Sequence, residues 1–284
     1  MTSSPIFTIF LPMALAIIMY GLGLSLTMAD FQRVLRYPKA VMIALICQVV
    51  LLPLVCFFVV KGFGLLPALA VGMLLLAASP GGTSANLYSH LAGGDVALNI
   101  TLTAVNSVLA IITLPIVVNL ALAHFYGEGQ VIPLQFSKVL QVFMIVLVPV
   151  ALGMATRARF TRFAQAMEKP VKILSMLFLF MIVVLALVKD AGTVSKHLAT
   201  VGMAALVFNV ISLAVGYGVP RLLKLNQRQS VAIGMEIGIH NGTLAIAMSP
   251  FMLNNPTMAV PAAMYSVCMF FTAALFGVWV SRKT

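Results

Sequence analysis

Apolar runs of about 20 residues, the length of helix needed to cross roughly 30 Å of hydrocarbon, recur along this chain with only short polar breaks between them. A backbone in hydrocarbon has to satisfy its own N–H and C=O groups, so runs of this length fold as helices. The sequence predicts nine, at 5–28, 38–61, 66–92, 95–124, 135–157, 169–190, 197–220, 228–252 and 257–281. With 62% of 284 residues hydrophobic and 8% charged, nothing is left over for a soluble domain. The first run has no basic residue before it and is too long for a signal-peptide core, so it is expected to be retained.

The net charge of +11 raises the question of nucleic acid, which its placement excludes. Arg33, Arg36 and Lys39 follow the first span. Arg157, Arg159, Arg162, Lys169 and Lys172 follow the fifth, Arg221, Lys224 and Arg228 the seventh, and Arg282 and Lys283 the last. These are thirteen of the seventeen basic residues; Lys61, Lys138, Lys189 and Lys196 fall on the other side. Cytoplasmic loops of membrane proteins are rich in Lys and Arg, so a multi-pass protein of a bacterial inner (cell) membrane is expected, with its N-terminus outside and its C-terminus in the cytoplasm. Anionic lipid headgroups are the expected neighbours of these charges. Cys47, Cys56 and Cys268 lie within spans and read as reduced packing residues.

A shift of 155 residues lays Asn86 on Asn241 and spans 1–4 on spans 6–9. Five helices is an odd number, so the second copy enters the membrane from the opposite face, the inverted-repeat design of many secondary transporters. Two breaks correspond: SPGGTSAN at 79–86 and GIHNGT at 238–243. Proline lacks an N–H and glycine disfavours helix, so both spans should unwind there. Unwound backbone at membrane depth is tolerated only inside protein or beside a polar cavity, which places a binding site where the breaks cross.

Of six acidic residues, Asp30, Asp95, Glu128, Glu168 and Asp190 lie at span ends, whereas Glu236 lies within a span, and every Lys and Arg sits near a span end. Its charge calls for a mobile cation, a proton or the neighbouring His240. Oxygen ligands are at hand in Glu236, the amides of Gln48, Asn86 and Asn241, the Thr103 hydroxyl and the freed carbonyls of the breaks. The substrate is expected to be an anion. Helices that restart after the breaks offer unpaired N–H groups, and Thr83, Ser84 and Thr243 add hydroxyl donors.

The segments GLGLSLTMADF (21–31), SPGGTSANLYSHLAGGDVALNITLT (79–103) and MEIGIHNG (235–242) resemble the bile acid:sodium symporter family. The resemblance implies an all-α polytopic fold of inverted-topology repeats with two broken, crossing helices. It also implies a core domain (about 38–124 and 197–281) and a smaller panel (about 5–28, 135–157 and 169–190). The implied activity is sodium-coupled symport of an organic anion, bile-acid-like or a small carboxylate such as pantoate, by alternating access, by a protein expected to be a monomer. A proton-coupled or sodium-independent anion transporter of the same fold is the alternative.

The anion is expected to meet Thr83, Ser84, Asn241 and Thr243, the donors where the helices restart. By the same resemblance one Na+ site comprises Asn86, Thr103 and Glu236, with Ala85 and Ala104 where serines are common. A second comprises Gln48, Glu236, the carbonyls of Ile237 and Ile239, and position 240. There the usual glutamine is His240, so one or two ions are expected, with the second site weakened. The last span, with SVCMFF at 266–271, lacks the polar His-Asn pair of some relatives. A channel would need repeated polar positions along a pore. An intramembrane enzyme is disfavoured because H-E-x-x-H is absent.

Overall fold

The structure is a computed structural model that describes residues 11–127, 136–167, 170–171, 173–174, 177, 191–253 and 255–282. It is all-α and polytopic. Helix α1 (Leu11–Ser25) turns through 70° into α2 (Met28–Gln32) and a 3-10 turn (Arg33–Arg36). Next come α3 (Pro38–Ile46), a π-helical turn (Cys47–Leu51) and α4 (Leu52–Gly62) as one rod, then α5 (Pro67–Ala77), α6 (Thr83–Leu91) and α7 (Val96–Tyr126). Helices α8 (Phe136–Arg159), α9 (Ala191–Leu222), α10 (Gln227–Gly238), α11 (Gly242–Leu253) and α12 (Val260–Ser281) complete the described fold.

The expectation of nine spans in an inverted repeat is corrected here. Among the described residues four helices are long and apolar enough to cross a membrane, Pro38–Gly62, Val96–Tyr126, His197–Leu222 and Thr257–Ser281, or five if the bent pair Leu15–Ser25 and Met28–Arg36 is one span. The cause is local. The runs at 66–92 and 228–252 are each cut into two helices of 9 to 12 residues, too short to cross singly. Most of the expected span at 169–190 and the start of the one at 5–28 lie outside the described residues.

Helix ends are built from side chains that replace missing backbone partners. The Asp95 carboxylate accepts the Leu98 N–H at 3.1 Å at the start of α7. Asn226 accepts the Gln229 N–H at 2.9 Å at the start of α10. Helices α1 and α8 approach so closely that a Cβ on Gly23 would meet the Val150 backbone and one on Gly153 the backbone of Tyr20 and Gly23. Tyr20 Oη also donates to Thr156 at 3.1 Å, and Arg157 donates to the Leu24 carbonyl at 2.7 Å.

Candidate functional site

Helices α5 and α6 are separated by Ala78–Gly82, and α10 and α11 by Ile239–Asn241; the two interruptions meet. Gly81 and His240 form an isolated antiparallel bridge. In it the Gly82 N–H donates to the Ile239 carbonyl and the Asn241 N–H to the Pro80 carbonyl, both at 2.8 Å. Backbone groups that a continuous helix would have paired are thus paired across the break. Asn241 also caps α11, its Oδ1 accepting the Leu244 N–H at 2.9 Å. The carbonyl of Gly238, released at the end of α10, takes two donors: Asn209 Nδ2 from α9 at 2.8 Å and the Tyr265 hydroxyl from α12 at 2.9 Å.

Glu236 ends up behind this crossing, fully buried. Three neutral side chains of α7 donate to its carboxylate: Asn99 at 2.8 Å, Thr103 at 2.6 Å and Asn106 at 3.4 Å. Gly81 packs against the carboxylate from the other helix pair, so closely that a Cβ there would collide with it. The one ion pair among the described residues joins Asp30 and Arg33, far from this point in sequence. A buried carboxylate supplied only with neutral donors keeps its charge unbalanced, which favours a cation nearby.

Six buried side-chain atoms among the described residues lack partners, Gln48 Oε1, Asn86 Oδ1, Ser89 Oγ, Asn99 Oδ1, Asn106 Oδ1 and His240 Nε2, and two of them, on Asn99 and Asn106, belong to amides that touch the carboxylate. The amides of Asn99 and Asn106 are oriented by the carboxylate, which accepts only from N–H, so their oxygens turn away from it. Buried amide oxygens left without a donor suit a hard cation.

Several of the expected residues come together and others take different roles. Thr103 touches Glu236, and Asn86 and Gln48 each hold a free amide oxygen. Gln48 is anchored through Nε2 to the carbonyls of Ser79 at 2.9 Å and Ala77 at 3.3 Å, not to Glu236. The Ile239 carbonyl already accepts from Gly82, whereas that of Ile237 loses its helical donor, because the Asn241 N–H goes to Pro80. His240 is buried, with Nδ1 3.0 Å from the Tyr265 hydroxyl. That hydroxyl gives its one proton to Gly238, so in a neutral ring Nδ1 carries the imidazole hydrogen and Nε2 is left without a hydrogen-bond partner.

Ser84 and Thr243 are half-buried beside the crossing. The Asn241 oxygen is occupied as a helix cap, leaving its N–H2 end for a ligand. Thr83 opens α6, and its side chain lies outside what the structure describes. Sequence reasoning missed Asn99, Asn106, Tyr265 and Asn209. The first two were findable, since Asn99, Thr103 and Asn106 stand at i, i+4 and i+7 and so line one face of an otherwise apolar helix.

An all-α multi-pass membrane protein with a charged group buried where two broken helices meet is a protein of the transporter class. The family model described as Sodium Bile acid symporter family matches residues 12–197, and the chain belongs to that family, one of transporters and not of enzymes. It is 29% identical over 266 residues to the probable sodium/metabolite cotransporter BASS1, chloroplastic, of Arabidopsis thaliana, covering 93% of this chain and 65% of the relative. It is 26% identical over 274 residues to the uncharacterized sodium-dependent transporter YocS of Bacillus subtilis, covering 96% of this chain and 84% of the relative. It is 23% identical over 288 residues to the ileal sodium/bile acid cotransporter of Cricetulus griseus, covering 99% and 81%. The chain therefore spans just under two thirds of the plant protein's length.

Proposed function

We propose that this chain is a sodium-coupled symporter of a monovalent organic anion that works by alternating access. The observation that carries the reading is Glu236: fully buried and bound only by neutral donors, two of which, Asn99 and Asn106, have amide oxygens without partners. Sodium, the driving cargo, is taken up there by Glu236, Asn86, Asn99 and Thr103. The names of the relatives add support, since they join sodium to a metabolite or to a bile acid.

The anion binds on the open side of the crossing, where α6 and α11 begin, at Thr83, Ser84, Thr243 and the N–H2 of Asn241. A bile-acid-like molecule or a small carboxylate such as pantoate is the proposed class. A cation behind the crossing and an anion in front of it attract one another through the bridge, so each raises the affinity for the other. The close packing of α1 on α8 supports a panel that moves as one body against the remaining helices.

In orientation, Tyr37, Asp95 and Arg228 belong to the cytoplasmic end of a bacterial cell membrane protein, and Lys61 and His124 to the outer end. In support, the Asp95 N–H donates to the Arg228 carbonyl at 2.9 Å, while Lys61 lies over the Phe57 ring that His124 also contacts. The test is uptake by proteoliposomes across a panel that includes taurocholate, pantoate, sulfonates and organic cations. An inward sodium gradient should drive accumulation of at least one anion and of no organic cation. Equal uptake with and without sodium would refute the proposal.

A further inference from the structure

Helices α1 and α8 end at one level. Arg157, in the last turn of α8, donates to the Leu24 carbonyl at 2.7 Å, and Thr156 accepts from the Tyr20 hydroxyl at 3.1 Å. Just beyond these contacts α1 turns through 70° into α2, and α8 gives way at Phe160 to a two-turn helix at 161–167. The chain there is amphipathic. Phe160, Phe163, Ala164 and Met167 share one side at i, i+3, i+4 and i+7, with Arg162 and Gln165 on the other and Arg159 at the boundary. Ala164 is turned into the protein, 0% exposed, whereas Phe160 and Phe163 are 59% and 52% exposed. The protein covers only part of the apolar face and leaves two aromatic rings to the surroundings. The charges beside the rings are also without partners of opposite sign. Arg159 and Arg162, one turn apart and both exposed, meet no carboxylate among the described residues, whose one ion pair joins Asp30 and Arg33. The Arg159 guanidinium lies over the Phe160 ring, 6.0 Å from its centroid, a contact through its face that leaves its N–H edge for another partner.

We infer that residues 158–167 form a docking surface for the headgroup of an anionic phospholipid, with Phe160 and Phe163 set against the adjoining acyl chains and Arg159 and Arg162 donating to the phosphodiester. Two features select this occupant. Aromatic rings exposed where apolar helices stop, with basic side chains at their edge, match the boundary between headgroups and acyl chains, which satisfies both. Guanidinium forks match the free oxygens of a phosphodiester, and their charge favours an anionic over a zwitterionic headgroup by about fivefold for each arginine. Arg157 takes no part, because it is committed to Leu24. Through that bond and the one between Tyr20 and Thr156, the lipid-held segment is joined to α1 and α8 together, so the lipid fixes one end of the pair at the membrane surface. This site is independent of Glu236 and of what the crossing carries.

The chain has one tryptophan, Trp279, so Phe163→Trp in a Trp279→Phe background gives the full chain a single reporter at the site. In vesicles of phosphatidylcholine, brominated phosphatidylglycerol should half-quench this tryptophan at a mole fraction about fivefold or more below that needed for brominated phosphatidylcholine. Arg159→Gln and Arg162→Gln together should bring the two lipids to the same value. Equal quenching by the two lipids, or a difference that survives both substitutions, would overturn the site. Quenching by aqueous iodide and by neither lipid would place the segment in water, open to a soluble partner, and would overturn it as well. If the tryptophan variant does not elute as a single species, lipid retention decides. Extracted from vesicles of equal phosphatidylcholine and phosphatidylglycerol, the wild type should keep more phosphatidylglycerol per molecule than the chain with both arginine substitutions, and equal retention would overturn the site.

Discussion

Glu236 shows how little of a buried charge is visible in the residue that carries it. Its position within an apolar span marked it, and so did the placement of every Lys and Arg near a span end. The three donors that hold it come from another helix, 130 to 137 residues away, and only Thr103 was anticipated. Asn99 and Asn106 were legible as a polar stripe, but Tyr265 and Asn209 were not, because what places them is a carbonyl released by a break in a third element. Replacing Glu236 by Gln removes the charge and keeps the shape. Sodium affinity should fall by a factor on the order of 100, about 3 kcal/mol. Stability without sodium should stay the same or rise, since a neutral amide is easier to bury than an unpaired carboxylate. Sodium-dependent shifts in Tm read both effects; an unchanged shift would show that the ion binds elsewhere. His240→Gln should tighten sodium binding a few-fold by returning an amide oxygen to the site, and the same titration checks it.

At the scale of elements, proline and glycine were the most informative letters in the sequence. Pro80, Gly81 and Gly82, and then Gly238 and Gly242, lie where helices stop and restart. The number of spans did not follow from the same signals. A hydropathy run is blind to a break inside it, and two of the nine runs are cut in this way; among the described residues four helices are of crossing length, or five with the bent pair. Gly81 has a role that helix propensity alone would not suggest, because the carboxylate of Glu236 fills the space a Cβ would need. Gly81→Ala should cost about 1–3 kcal/mol, the usual penalty for overpacking a tight site. It should also blunt sodium-dependent stabilisation more than Gly62→Ala, where a Cβ meets nothing. Equal effects of the two substitutions on the sodium-dependent Tm shift would show that the contact between Gly81 and Glu236 is not maintained in the membrane.

For the whole molecule, the proposed orientation rests on charge placement. Thirteen of seventeen basic residues fall in one set of loops. Arg228 from that set contacts Asp95, while Lys61 from the other set contacts Phe57. A single cysteine in place of Arg228 should therefore label from the cytoplasmic side and one in place of Lys61 from outside. The background would lack Cys47, Cys56 and Cys268, which are buried or half-buried. Labelling of both from one side would reverse or break the proposed topology.

Coupling itself is the property that joins the site to the fold, and it is reciprocal: if sodium helps to load the anion, the anion must help to load sodium. The most direct measurement uses proteoliposomes without a sodium gradient, in which an imposed inward gradient of the transported anion is the only driving force and 22Na+ is the tracer. The wild type should accumulate 22Na+ above its equilibrium level, and Glu236→Gln should not. Anion entry with no movement of 22Na+ in the wild type would contradict a symport mechanism centred on Glu236.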